Sequence, residues 1–193
     1  MELILASQSP RRRELLKRIV NEDFQVSPAE IDESMVGYSD PKQYVLAMAH
    51  AKAAKVAEQN PAAIVIGCDT IVTINDEILG KPLDREDASG ILHLLSGQTH
   101  IVYTAVVIQQ GIKLAEAVVP CEVTFWDLTD QEIDNYLLTD EYADKAGAYG
   151  IQDQGALLVK SVCGDYYSVV GFPVATVARM LKDFEQPRIL KAQ

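Results

Sequence analysis

The sequence predicts an α/β protein with a mixed β-sheet flanked by helices, and three observations lead there. Two short apolar runs, ELILA at 2–6 and AAIVIG at 62–67, have the length and composition of buried strands. Segments with helical spacing separate them, at 10–19 and 41–58. Paired β-type runs at 70–80 and 99–126 then read as hairpins, which interrupt the strand–helix–strand crossovers. A mixed sheet fits that order better than a purely parallel, doubly wound one.

The elements follow in sequence. After ELILA, Ser9 is an N-cap and Pro10 takes the first helical position, with Leu15, Leu16 and Ile19 on one face. Phe24 to Ser27 reads as a strand and is followed by an acidic loop with Asp32 and Glu33. The 41–58 helix opens on Pro41 and carries Tyr44, Val45, Met48 and Ala49, then Lys52 and Lys55, on helical spacings. AAIVIG ends at Gly67-Cys68-Asp69-Thr70, so Asp69 is expected at the mouth of a strand, with a hairpin beginning after it and turning at Asn75-Asp76. Asp84 caps a helix to Leu95, which Ser96-Gly97 ends. Runs at 99–109 and 112–126 pair across Gln110-Gly111. Thr129 and Glu132 form a capping-box pattern for a helix to Leu138. Strands are expected at 156–161 and 165–170, and Pro173 opens a last helix to Phe184.

The 193 residues suit one domain, with room for two lobes. At 48% hydrophobic and 23% charged, the chain can bury a full core. No apolar run reaches the roughly 18 residues of a membrane helix. The apolar start of MELILASQSPRRR precedes its charges, the reverse of a secretory leader, so a cytoplasmic protein is expected. Cys68, Cys121 and Cys163 are odd in number and lack any CxxC, and His50, His93 and His100 show no metal-binding spacing.

A net charge of −11 argues against broad binding to nucleic acid polymers or anionic membranes. The charge is unevenly spread. Residues 11–18 hold five bases against one acid, whereas 21–40 and 127–144 hold six and seven acids and no base. A small basic focus in an acidic chain suits a compact anion such as a phosphate chain.

Five segments could carry chemistry. Ser7-Gln8-Ser9-Pro10-Arg11-Arg12 places two arginines in the first turn of a helix, where they oppose the helix dipole. An anion bound at that terminus would explain them; a merely solvated helix end is the plain alternative. Asp69 is placed to ligate a metal, to orient water, or only to cap a turn. Lys52 and Lys81 would add charge for a triphosphate beside that carboxylate, or stand exposed. Asp144-Lys145-Ala146-Gly147-Ala148-Tyr149-Gly150-Ile151-Gln152 flanks an aromatic with glycines and ends on a donor–acceptor amide, suited to stacking on a base and reading its edge, or to a structural turn. It matches neither a P-loop nor a Rossmann fingerprint. Ser96-Gly97-Gln98-Thr99-His100 reads as a helix stop whose polar groups could also face a cleft, and Trp126 as packing.

Together these segments resemble the Maf family of nucleotide pyrophosphatases. The resemblance rests on LASQSPRRRELL at 5–16, MAHAKA at 48–53, VIGCDTIV at 65–72, LGKP at 79–82, LSGQTHIVYTAV at 95–106, DKAGAYGIQ at 144–152 and VVGFP at 169–173. It implies a curved mixed sheet with two lobes around a central cleft, as in the related ITPase-like fold, and a homodimer. It also implies cleavage of a nucleoside triphosphate between the α and β phosphates, dependent on a divalent cation such as Mg²⁺, Mn²⁺ or Co²⁺. By the same resemblance, Ser7, Arg11 and Arg12 bind phosphate, Lys52 and Lys81 act near the reacting phosphates, Asp69 accepts the proton, and Asp69 with Glu33 holds metal.

Within the family, one branch resembles dTTP and UTP pyrophosphatases and the other prefers 7-methyl-GTP. Arg11, Thr70 and Gln152 agree with the first; an aromatic, a Gln and a Glu are typical of the second. Cys68 departs from the usual Ala or Ser, and Asp153-Gln154 from a more Gly-rich pair. Two rival readings accompany this one: a non-catalytic nucleotide sensor in septum control, and house-cleaning of modified pyrimidine nucleotides.

Overall fold

Strand β1 (Leu3–Leu5) is buried at every residue because it lies between two parallel neighbours. In this computed structural model, which describes residues 2–20, 23–29, 31 and 40–184, β2 (Gln25–Val26) borders it on one side and β3 (Ile64–Ile74) on the other. Asp32 and Glu33 lie outside the described residues. The register pairs Ile4 with Gln25 and with Val65, and Leu5 with Val26 and with Ile66.

Helix α1 (Pro10–Lys17) starts as predicted, with Ser9 in extended conformation accepting from the Arg12 amide at 3.4 Å. Leu15 and Leu16 are buried, and each such leucine contributes about 1.5–3 kcal/mol relative to an exposed one. Helix α2 (Pro41–Gln59) is capped by the Asp40 carboxylate and buries Val45, Met48, Ala49, Ala53 and Val56, a single helical stripe.

The sequence places a break at Asp69, but β3 is one strand of 11 residues that runs through it. The β-branched run Ile71–Ile74 continues the extended chain, and nothing turns it before Asn75-Asp76. Those two residues have φ of 51° and 64°, the conformation of a tight hairpin turn, as predicted. Strand β4 (Glu77–Leu79) returns only as far as the Val72–Leu79 pair. Asp69 is thus inside a strand, not at its mouth.

Helix α3 (Arg85–Leu95) is capped by Asp84 and stopped at Ser96-Gly97. Strands β5 (Thr99–Gln110) and β6 (Lys113–Phe125) follow, and the capping box of Thr129 with Glu132 is complete at the start of α4 (Asp130–Leu137). Short 3₁₀ segments at Ala146–Ala148 and Gln154–Leu158 lead into β7 (Val159–Gly164), antiparallel to β6. The strand expected at 156–161 therefore begins later.

The strand expected at 165–170 is instead a short helix, α5 (Tyr166–Val170). Its aromatic and β-branched residues favour a strand, but Asp165 overrides them. The Asp165 carboxylate accepts from the Tyr167 amide at 2.8 Å, and its carbonyl accepts from the Ser168 hydroxyl at 2.7 Å. Helix α6 (Val174–Met180) begins after Pro173 and tightens into a 3₁₀ turn ending at Asp183.

Among the described residues, seven strands form one sheet in the order β2-β1-β3-β5-β6-β7, with β4 added to β3, a mixed sheet with helices as expected. The chain divides into two compact units: Met1–Asp69 with Thr104–Val119 and Gly171–Gln193, and Thr70–Tyr103 with Pro120–Val170. Among the described residues, no helix is long and apolar enough to cross a membrane.

Candidate functional site

In the first unit, Asp69 follows a point where β3 loses a neighbour. The pairing with β1 ends at Leu5–Ile66, and an Ala6 amide bond to the Ile66 carbonyl closes it. The carbonyl of Cys68 then needs another partner. Arg12 supplies it: Nη1 donates to Cys68 O at 2.8 Å and to Ser7 Oγ at 3.3 Å, while Nε donates to Gly171 O at 2.9 Å. The buried Cys68 thiol also donates to Gly171 O, at 3.3 Å, and burial pushes its pKa up, keeping it protonated. Ser7, 7% exposed, accepts from the Ser9 amide at 3.2 Å as well.

Helix α2 brings Lys52 to Asp69. Its Nζ donates to Oδ1 at 2.6 Å, and both side chains are only 14% exposed. The pair lies in a largely desolvated setting where its mutual attraction is strong. Gly67 makes this approach possible. A Cβ built there would lie 2.3 Å from Ala49 O and 2.7 Å from Ala53 N, both in the turn of α2 around Lys52.

The structure therefore brings together Ser7, Arg12, Lys52 and Asp69. Arg11 is half-buried beside them in sequence, and its guanidinium makes no hydrogen bond or ion pair with a described residue. The two arginines differ in consequence. Arg12→Ala should lower stability by about 2–4 kcal/mol, because it strips charged donors from two main-chain carbonyls. Arg11→Ala should change stability by less than about 0.5 kcal/mol. Urea unfolding of both variants measures that contrast.

In the second unit, Thr70 follows Asp69 on β3 and is half-buried. Lys81 is exposed two residues beyond the end of β4, past the last pair with β3 at Val72–Leu79. Gln152 is exposed at the end of the glycine-flanked loop. That loop is fixed in place. Gly147, at φ 70°, donates its amide to Gly80 O at 3.1 Å, and a Cβ there would lie 2.9 Å from the Val72 methyls. Two alternatives that the sequence left open are decided here. Tyr149 is 5% exposed and His100 1%, so the tyrosine packs in the core rather than stacking on a base, and His100 faces no cleft.

A family model described as "Maf-like protein" matches residues 2–184. The chain belongs to the Maf family. A protein of Latilactobacillus sakei named dTTP/UTP pyrophosphatase is 52% identical over 180 residues, covering 93% of this chain and 99% of that one. A Bacillus cytotoxicus protein of the same name is 50% identical over 184 residues, covering 95% and 96%. A solved HAM1 protein from Coxiella burnetii matches with a TM-score of 0.52 at 14% identity, covering 95% of this chain and 99% of that one, and shares the fold.

For this Maf chain, sequence reasoning missed the part played by Gly171, whose carbonyl joins Arg12 to Cys68. The VVGFP motif was its signal, but a backbone acceptor has no side-chain signature. A carboxylate oxygen is the kind of donor that a hard divalent cation takes. Asp69 offers a carboxylate, and no group of three or more His, Cys, Asp or Glu gathers among the described residues. Such an ion would be held by one or two carboxylates and shared with substrate phosphates rather than caged by protein. Glu33, the other expected ligand, lies outside the described residues.

Proposed function

We propose that this chain hydrolyses dTTP and UTP at the α–β phosphoanhydride, giving the nucleoside monophosphate and pyrophosphate. The observation that carries the reading is the largely buried Lys52–Asp69 pair beside Arg12 and Ser7, in a chain half identical to proteins named for that activity. Asp69 orients the attacking water and takes its proton. Lys52 holds Asp69 until a phosphate oxygen competes for its ammonium, which turns the carboxylate toward water. Arg11, Arg12 and Ser7 bind the phosphate chain, Arg12 also fixing the local backbone. Lys81 adds positive charge at the phosphates.

Base choice falls to Arg11, Thr70 and Gln152. The Gln152 amide offers a donor and an acceptor to the O4/N3–H edge that thymine and uracil share. Asp69, with Glu33, would hold a divalent cation, Mg²⁺, Mn²⁺ or Co²⁺, which when bound would neutralise charge at the phosphates. The family resemblance adds a homodimer with the whole chain as one catalytic domain. Three free cysteines fit a reducing cytoplasm.

A panel of triphosphates with each metal tests the reading. Turnover should be highest with dTTP and UTP, at least tenfold lower with CTP if one hydrogen-bonding mismatch costs about 1.4 kcal/mol or more, and lost on adding EDTA. Preference for 7-methyl-GTP would overturn the base assignment.

A further inference from the structure

Beneath the loop that carries Gln152 lies a buried aromatic cluster that phosphate chemistry does not require. His100 on β5, Phe125 on β6 and Tyr149 in the loop meet edge to face, with ring centroids 4.8–5.4 Å apart. His100 Nε2 and Tyr149 Oη are 2.8 Å apart and share a hydrogen bond. One residue on, the Gly150 amide donates to Tyr136 Oη on α4 at 3.2 Å. With the Gly147–Gly80 bond, the loop is pinned at three points within four residues, two positions before Gln152.

Packing alone does not account for a histidine at position 100. Its Nδ1 is buried and has no hydrogen-bond partner among the described residues, a costly arrangement that a phenylalanine would avoid. The imidazole is neutral, burial having lowered its pKa to about 4. What it gains over an apolar ring is the bond to Tyr149.

We infer that His100 is a positioning residue for base recognition: through Tyr149 it fixes the loop that presents Gln152, and so sets pyrimidine selectivity without touching substrate. This rests on Gln152 reading the base. Tyr149→Phe removes one oxygen and keeps the ring, so it is the mildest test; His100→Phe removes the other partner. Each should raise KM for UTP about five- to tenfold, the worth of one hydrogen bond. Each should lower the UTP-over-CTP preference and leave kcat within about twofold. The double variant should be no worse than either single one, since both delete the same bond. His100→Gln, whose amide reaches the Nε2 position, should restore most of the loss.

A fall in kcat at constant KM, equal KM increases for UTP and CTP, or additive effects in the double variant would overturn the proposal. Gln152→Ala separates the two layers. If that variant keeps full UTP preference, the base-reading role fails, and with it the selectivity claim. Amide exchange over 147–152 then judges the anchor alone: faster exchange in Tyr149→Phe upholds it, and unchanged exchange removes it.

Discussion

Asp69→Asn is expected to lose about 10²–10⁴-fold in kcat while still binding nucleotide, the loss typical of removing a general base. The substitution suits the site because it keeps an oxygen. Lys52 Nζ, now 2.6 Å from Oδ1, can still donate to an amide oxygen, so α2 and β3 stay joined. Proton affinity and negative charge are what disappear. Asp69→Leu should behave differently, because it leaves the Lys52 ammonium buried without its carboxylate. Breaking such a pair costs about 3–5 kcal/mol, so that variant should lose stability as well as turnover. Steady-state kinetics with nucleotide titration separates the two. An Asn variant with full turnover would remove Asp69 from the chemistry, and one that no longer bound nucleotide would make its role mainly attachment.

The second large effect is on stability. Gly67→Ala should cost about 3 kcal/mol or more, at the upper end of overpacking penalties. The new methyl meets Ala49 O at 2.3 Å, Ala53 N at 2.7 Å and Ala53 Cβ at 2.8 Å. Two of those are backbone atoms of α2, which cannot rotate away as a flexible side chain could. Helix α2 would have to move off β3, carrying Lys52 from Asp69. Gly90→Ala is the matched control. Gly90 is exposed within α3 and a Cβ there meets nothing within 4 Å. That change should stabilise by roughly 0.5–1 kcal/mol, the helix cost of glycine relative to alanine. Urea midpoints moving in opposite directions would verify both; an unchanged midpoint for Gly67→Ala would mean that the helix has room to yield.

The sequence was most readable where a local rule decides the structure. Ser9, Asp84 and the Thr129–Glu132 pair each cap a helix where predicted, and Asn75-Asp76 turns the hairpin. Each feature depends on atoms a few residues apart. Errors arose where a neighbour decides. The strand through Asp69 has the same local pattern as a strand ending there, and only the absence of an early turn distinguishes them. Asp165 converts a strand-like sequence into a helix through two hydrogen bonds.

The site shows the same division. Lys52 and Asp69 are 17 residues apart, on a helix and a strand, and the family motifs named them together. Arg12 was expected to meet phosphate; its bonds to Cys68 O and Gly171 O, the latter 159 residues away, have no local signature. The glycines that flank Tyr149 left a base-stacking loop and a structural turn equally open. The tyrosine's burial depends on His100 and Phe125, which no spacing within the loop could reveal.

Product analysis tests the central claim most directly. UTP incubated with the protein in ¹⁸O-enriched water, with the divalent cation present, should give UMP and pyrophosphate in equal amounts, with the label in one of the two. Appearance of UDP with orthophosphate would contradict α–β cleavage, and with it the reaction assigned to Asp69 and Lys52.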